Sequence, residues 1–275
     1  MYTRHKTLST KSANVIRHFT DLNQPAFTLA EVSALLRPSS DDAVRKLVRD
    51  MVNRGLLLRL KDGVYWIIPY EQDATSYFPD VHLAAAYLVG DAGYYVGYYS
   101  ALELHGLITQ PSMVEQVVVD RQIRPSLLNI GNNQFRFIYH NETHFFGAKN
   151  IWIDSYHKVP CSDLEKTFID CLYKPDNGGG ISEITKALYK VRDKVDYEKL
   201  LLYCQRFSTQ AVIKRLGFLL ELLEIDNPIA DMLQQLKTKS FTLLEPSYEN
   251  SGKLNSKWSI RQNIDTEDIV SSIFT

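Results

Sequence analysis

The chain has 275 residues, 45% of them hydrophobic, which is enough to bury a sizeable core in one large domain or two smaller ones. No apolar run approaches the roughly 18 residues that span a bilayer, and the N-terminal segment lacks the apolar stretch of a secretory signal, so we expect a cytoplasmic protein. The three cysteines include no C-x-x-C pair, which argues against a disulfide framework or a zinc knuckle. Residues 1–70 carry 11 Lys/Arg and 6 Asp/Glu and the remainder 20 and 26, so a basic part precedes an acidic body.

Three helices are predicted in the basic part. Apolar side chains at helical spacing in residues 12–23 indicate the first helix, and Thr28 with Glu31 forms a capping box that begins the second. Residues 37–40 break the second helix because proline lacks a backbone donor. The third helix is predicted from about Asp42 to Arg54, with Gly55 as its C-terminal cap.

Two strands follow these helices. Residues 56–60 and 64–68 are apolar runs around an Asp62-Gly63 turn, a pattern typical of a β-hairpin. Three helices followed by a hairpin predict a winged helix-turn-helix DNA-binding domain over residues 1–70. In such domains the third helix enters the major groove and the hairpin contacts the backbone or the minor groove.

The third helix has a basic surface. Arg45 and Arg49 lie one turn apart, and arginine is well shaped for bidentate contact with guanine. The other predicted contacts are to phosphate, so that the full set of DNA-binding residues is Arg37, Ser39, Ser40, Arg45, Lys46, Arg49 and Lys61. The expected partner is double-stranded operator DNA with inverted repeats. A homodimer, or two monomers that bind cooperatively, would occupy these repeats. The alternative is that these charges only solvate the helix and that the domain binds protein.

Residues 69–80 lack periodicity and predict a linker, which places a second domain at residues 81–275. Helices are predicted at 81–89 and 100–105, followed by strands at 114–120, 135–139 and 145–153. Five further helices are predicted at 164–172, 181–191, 197–207, 210–224 and 229–236. The fold class is therefore α+β, with a winged helix followed by a mixed α+β domain whose second half is helical. Residues 240–275 give no assignable pattern.

Four segments, in this order and spacing, resemble the AbiEi family of antitoxins from type IV toxin-antitoxin (abortive infection) systems. They are LLLRLKDGVYWI, YYVGYYSALELHGL, SDLEKTFIDCLYKPDNGGGISEI and IKRLGFLLELL, and together they span about residues 30–225. The resemblance implies a winged helix that represses its own operon and a C-terminal domain that counteracts a nucleotidyltransferase toxin.

The resemblance also implies an antitoxin surface made of Asp163, Glu165, Lys166 and Arg215. Family sequences often have arginine in the segment that contains Lys166, and lysine cannot reproduce a bidentate arginine contact. The alternative is structural: these residues cap and flank helices, with Ser162 as the cap and Glu165 as its partner.

No motif for catalysis is found, so we expect a protein that is not an enzyme and that has no cofactor and no metal. His140 and His144 flank a predicted polar turn with no third ligand, and residues 178–180 lack the surrounding pattern of a phosphate-binding loop. Glu115 and Asp120 are five apart, hence on opposite faces of a strand, which disfavours a nuclease site. The tyrosines at 94, 95, 98 and 99 favour a core or an interface over a platform for nucleic-acid bases.

Two other functions stay open. One is a winged-helix transcription factor whose second domain senses a ligand or forms dimers. The other is a DNA-modifying or restriction subunit that uses the winged helix for targeting. An adjacent nucleotidyltransferase gene would favour the antitoxin, a stabilising ligand the transcription factor, and metal-dependent nicking the enzyme.

Overall fold

Helices and sheets are mixed along the chain, so the protein is α+β, as predicted. The structure, a computed structural model, describes residues 6–108 and 110–274 and divides into two units, Met1–Gly90 and Asp91–Thr275. Residues 1–5, 109 and 275, which the predicted domains include, lie outside the described residues.

The described part of the first unit combines helices with a three-stranded antiparallel sheet of strand order β1-β3-β2. Its elements are α1 (Thr10–Asp21), β1 (Ala26–Thr28), α2 (Leu29–Leu35), α3 (Asp41–Asn53), β2 (Leu57–Lys61), β3 (Val64–Ile67) and α4 (Val81–Val89). Thr28 and Glu31 form the predicted capping box of α2. The Ser40 hydroxyl accepts the amide of Ala43 and so fixes the start of α3.

The core of the first unit determines which face of α3 is exposed. Val15 of α1, Val32 of α2 and Val48 of α3 are buried together. The rings of Phe19 and Phe27 stack beside them with their centroids 4.5 Å apart. Because α3 packs through this apolar stripe, its basic side chains remain on the outside.

The boundary between the units differs from the predicted one. The helix at residues 81–89 forms as predicted, but it belongs to the first unit and not to the second. The ammonium of Lys61 donates to the carbonyl of Leu88, and the rings of Trp66 and Tyr87 meet edge to face at 5.5 Å. These contacts hold α4 on the sheet of the first unit, and sequence periodicity does not reveal them because they join residues more than 20 positions apart.

A six-stranded mixed sheet forms the first half of the second unit. Its strands are β4 (Tyr94–Val96), β5 (Val114–Val119), β6 (Leu127–Ile130), β7 (Asn133–Tyr139), β8 (Ala148–Trp152) and β9 (Lys158–Ser162), in the order β6-β7-β5-β4-β9-β8. The pairs β5–β7 and β4–β9 are parallel, and the remaining pairs are antiparallel. A short helix, α5 (Tyr98–Leu104), follows β4.

The second half of this unit is largely helical, as predicted. It contains α6 (Leu164–Tyr173), a 3-10 turn (Pro175–Gly178), α7 (Gly180–Val191), α8 (Tyr197–Phe207), α9 (Gln210–Leu222) and α10 (Ala230–Leu236). Helix α6 is central, because it packs against α5, α7, α8 and α9. The segment without an assignable pattern forms β10 (Thr242–Leu243), β11 (Lys253–Asn255), β12 (Ile260–Gln262) and α11 (Thr266–Ser271), with Trp258 buried against Gly217 of α9.

Candidate nucleic-acid interface and buried charges

Helix α3 presents three basic side chains to solvent. Val44, Val48 and Met51 point inward, whereas Arg45, Lys46 and Arg49 are exposed between them. None of the ion pairs described in residues 6–108 and 110–274 engages these three cations, so their charge is available to a ligand. The geometry matches the prediction that Arg45 and Arg49 project together from one helix face.

The connection before α3 contributes further polar groups. Arg37 and Ser39 are exposed, as a contact to phosphate requires. Ser40 is also exposed, but its hydroxyl is used as the cap of α3. Its predicted phosphate contact therefore has to share that oxygen, and its first role is to begin the helix.

Lys61, which was predicted to contact phosphate, has a partner within the protein in this structure. Its ammonium lies 2.6 Å from the carbonyl oxygen of Leu88, at the C-terminus of α4. A cation is stabilised there because the last carbonyls of a helix carry partial negative charge. The hairpin tip itself holds Arg59 and Asp62 as an exposed ion pair, so this short hairpin has little free positive charge.

The four residues predicted as an antitoxin surface are buried, so they do not form a surface. Asp163 caps α6 by accepting the amide of Lys166 at 2.9 Å. Its other oxygen and the carboxylate of Glu165 both contact the ammonium of Lys199, at 3.0 and 2.8 Å. Burial lowers the pKa of Lys199, but the hydrogen bonds to Glu165 and Asp163 outweigh it and leave that pKa raised. These contacts join α6 to α8.

Lys166 lies at the centre of a fully buried polar network. Its ammonium contacts a carboxylate oxygen of Asp170 and lies 2.9 Å from the hydroxyl of Tyr95. That hydroxyl donates to the second Asp170 oxygen at 2.9 Å. Phe146 and Phe207 face the ammonium with ring centroids at 5.0 and 5.1 Å. Burial lowers the pKa of Lys166 and raises that of Asp170, and their mutual attraction opposes both shifts.

His140 extends this network; the predicted turn forms directly after it, but the His140 ring itself points into the core. The ring is buried, with Nε2 at 2.9 Å from the hydroxyl of Tyr98 and Nδ1 at 3.4 Å from that of Tyr95. Burial and the nearby charge of Lys166 lower the pKa of His140 to about 3. The imidazole is therefore neutral at physiological pH and serves as a hydrogen-bonding member of the core.

Arg215 also has a structural position. Its guanidinium donates to the carbonyls of Leu172, at the end of α6, and of Leu243 and Leu244, at β10. Burial lowers the pKa of this side chain to about 10, which leaves it charged at neutral pH. All of these acceptors are backbone oxygens, so Arg215 fastens the C-terminal sheet to α6.

The residues considered for chemistry have structural partners as well. A carboxylate oxygen of Asp120 accepts the amide of Gly93 at 3.0 Å, and Glu115 is buried in β5. The start of α7 is occupied by the carboxylate of Glu245, which accepts the amide of Ile181 at 2.8 Å.

Within residues 6–108 and 110–274, no group of three or more His, Cys, Asp or Glu side chains is arranged to hold a metal ion. Nor does any helix in that range have the length and apolar character needed to cross a membrane.

The network in the second unit includes residues that the sequence analysis did not single out together. Tyr95, His140 and Asp170 are up to 75 positions apart along the chain. One local signal was present, because Lys166 and Asp170 are four apart in a helix whose other positions are largely apolar. A helix that is apolar around most of its surface is a buried one, and an opposite-charge pair within it is then a buried pair.

Comparison with solved structures gives a likeness of fold over almost the whole chain. The crystal structure of the Rv2827c protein from Mycobacterium tuberculosis aligns with a TM-score of 0.73 at 13% sequence identity, covering 99% of this chain and 98% of that one. No protein-family model and no curated protein sequence matches this chain. At this identity the likeness shows a shared fold only.

Proposed function

We propose that this chain is a DNA-binding transcriptional regulator whose first unit is a winged helix with α3 as the recognition helix. The order of three helices and an antiparallel hairpin supports this assignment. The observation that carries it is the exposed row of Arg45, Lys46 and Arg49 on α3, none of which is in an ion pair among the described residues. In this proposal Arg45 and Arg49 contact base edges, and Arg37, Ser39 and Lys46 contact phosphate.

DNA binding is tested with the full chain and DNA from immediately upstream of its own gene, against a scrambled duplex, by fluorescence anisotropy. We expect the affinity for the upstream DNA to fall steeply with salt. The variant Arg45→Ala/Arg49→Ala is expected to lose at least about thirtyfold in affinity, as each of the two guanine contacts contributes about 1–3 kcal/mol. Equal binding of both duplexes by the wild type and this variant would refute the assignment.

A conservative variant separates charge from base recognition. Arg45→Lys/Arg49→Lys keeps both positive charges but cannot make bidentate contacts. We expect it to retain the affinity for the scrambled duplex and to lose the preference for the upstream DNA. Lys239→Ala, an exposed change in the second unit, is the matched control and leaves both affinities as they are.

We further propose that the chain is an antitoxin that counteracts a nucleotidyltransferase toxin and represses the operon encoding both. The support is the ordered resemblance to the AbiEi family over about residues 30–225, which includes the α6 and α9 segments. Because Asp163, Glu165, Lys166 and Arg215 are buried, they contribute to antitoxin activity through the fold of the second unit. No residue of a contact surface is assigned.

The antitoxin proposal is tested by co-expressing the adjacent gene with the full chain, each from its own inducible promoter. Growth is expected to stop with the adjacent gene alone and to recover with the chain. Arg45→Ala/Arg49→Ala is expected to restore growth equally, because independent promoters remove any need for repression. An adjacent gene that is harmless, or toxicity that the chain does not relieve, would show the antitoxin proposal to be wrong.

A further inference from the structure

A cleft in the second unit lies beside the start of β6, where β7 extends beyond its pairing with that strand. The β6–β7 pairing ends at Leu127 and Arg136, whereas β7 extends to Tyr139. The loop of residues 122–126 and the turn of residues 174–177 close the other sides. The cleft has a volume of about 990 Å³, which is at the upper end of the range for sites that enclose small ligands.

The cleft is basic although the unit around it is acidic. Residues 91–275 carry 20 Lys/Arg and 23 Asp/Glu, a net charge of −3. The cleft is lined by three cations, Arg124, Arg136 and Lys174, and by one carboxylate, that of Asp176. Its net charge of +2, from three positive and one negative group, therefore favours an anionic ligand.

Arg136 is held in position before any ligand binds. Its Nη1 donates to the side-chain oxygen of the buried Asn177 at 2.9 Å. The backbone amide of Asn177 in turn donates to the backbone carbonyl of Lys174 at 3.0 Å, so the turn holds Asn177, the partner of Arg136, in place. Among the described contacts this uses one of the five guanidinium donors, and the remaining donors suit the planar, bidentate recognition of phosphate.

The other walls provide groups for the remaining parts of a nucleotide. Leu127 pairs with Arg136 in the β6–β7 ladder, so its side chain lies on the same face, and it is 39% exposed. Tyr139 is 46% exposed, but it lies three positions from Arg136 in β7, so its ring is on the opposite face of that strand and is not part of this wall. Asp176 also lines a neighbouring cleft of about 510 Å³, and a carboxylate there can accept the hydroxyls of a sugar.

We propose that this cleft binds a free nucleoside phosphate. The phosphates lie against Arg124, Arg136 and Lys174, the sugar hydroxyls donate to Asp176, and the base lies against Leu127. Phosphate alone leaves the apolar wall empty, and a nucleoside alone leaves the cations without an anion. Both parts of the ligand therefore contribute to its affinity. The proposal does not depend on DNA binding by the first unit.

The test is calorimetric titration of the full chain with ADP, adenosine, inorganic phosphate and a short single-stranded oligonucleotide. We expect ADP to bind at least about tenfold more tightly than adenosine or phosphate, since each of these lacks the contacts that the other part of ADP makes. Arg136→Gln and Arg124→Gln are each expected to weaken ADP about tenfold. Lys253→Gln, an exposed change on β11, is the matched control and leaves ADP affinity unchanged.

Three results would overturn the proposal. They are no ADP binding at millimolar concentration, ADP affinity unaffected by both arginine variants, and Arg136-dependent binding of the oligonucleotide without binding of ADP. The last result would identify a site for nucleic-acid backbone in place of a site for a free nucleotide. Because Arg124 is exposed, Arg124→Gln should keep its fold, and circular dichroism of both variants excludes a loss caused by unfolding.

Discussion

Replacing Lys166 by methionine tests the network at the centre of the second unit. Methionine keeps the length of the side chain but removes the ammonium, which leaves Asp170 buried with the Tyr95 hydroxyl at 2.9 Å and the His140 ring nitrogen at 3.8 Å. Two charged hydrogen bonds are lost, each contributing about 1.5–3 kcal/mol. Breaking a buried ion pair by removing one partner costs about 3–5 kcal/mol, which agrees with that sum. We therefore expect a loss of about 3–5 kcal/mol in the free energy of unfolding near neutral pH.

The loss should depend on pH in a defined direction. Without the lysine, burial raises the pKa of Asp170 further, so the folded variant takes up a proton more readily than the unfolded chain. The stability that this protonation supplies is present at low pH and is lost as pH rises through the folded-state pKa of Asp170. The difference in the free energy of unfolding between wild type and Lys166→Met should accordingly be smaller at about pH 5 than at about pH 8.

Urea denaturation followed by circular dichroism measures these free energies. The double variant Lys166→Met/Asp170→Leu is expected to recover much of the loss, because it leaves no unpaired charge in the core. Lys239→Met, on the surface, should change stability by less than about 0.5 kcal/mol. A single variant that loses under about 1 kcal/mol, or a double variant less stable than the single, would contradict the argument.

Three further predictions concern other positions. His140 keeps a folded-state pKa of about 3, so the unfolded chain protonates first as pH falls below the ordinary value of 6.5. As pH falls from 6.5 to about 3, the free energy of unfolding of the wild type should therefore decrease by up to about 1.4 kcal/mol per pH unit more than that of His140→Gln. Urea denaturation across this pH range measures the difference. Lys61→Met should lower the free energy of unfolding by about 1 kcal/mol, measured by calorimetry, and should change DNA affinity by less than about twofold. If Lys61 contacted phosphate, the variant would instead reduce the dependence of DNA affinity on salt concentration. Gly217→Ala places a methyl group against the indole ring of Trp258 and should cost at least about 1–3 kcal/mol in urea denaturation.

Several helices and one helix cap could be predicted from the sequence, because the residues that determine them are close together along the chain. The helix at residues 197–207 is observed with the predicted bounds, and α6 extends the predicted helix by one residue. The capping box of Thr28 and Glu31 is also observed, since both residues lie in one turn. Strand β4 and the C-terminal sheet were not predicted, because strands of two or three residues are too short to show an alternation of apolar and polar residues.

The interaction partners of the charged residues could not be predicted from the sequence. Lys61 was predicted from its place beside a turn, but its acceptor, the carbonyl of Leu88, is 27 positions further along the chain. The family resemblance implied that Asp163 and Glu165 belong to a surface, but both are buried. Their burial depends on Lys199, which a different helix supplies. Charge pairing across elements follows from tertiary structure, which single-sequence patterns do not encode.

The contacts of Arg215 have a genetic consequence. Its acceptors at Leu243 and Leu244 lie close to the end of the chain, and Glu245 beside them caps α7. A premature stop codon before Leu243 would remove all three residues and leave a buried guanidinium and a helix terminus without partners. Nonsense and frameshift alleles that truncate the chain before Leu243 should therefore yield protein that is degraded, and should behave as null alleles.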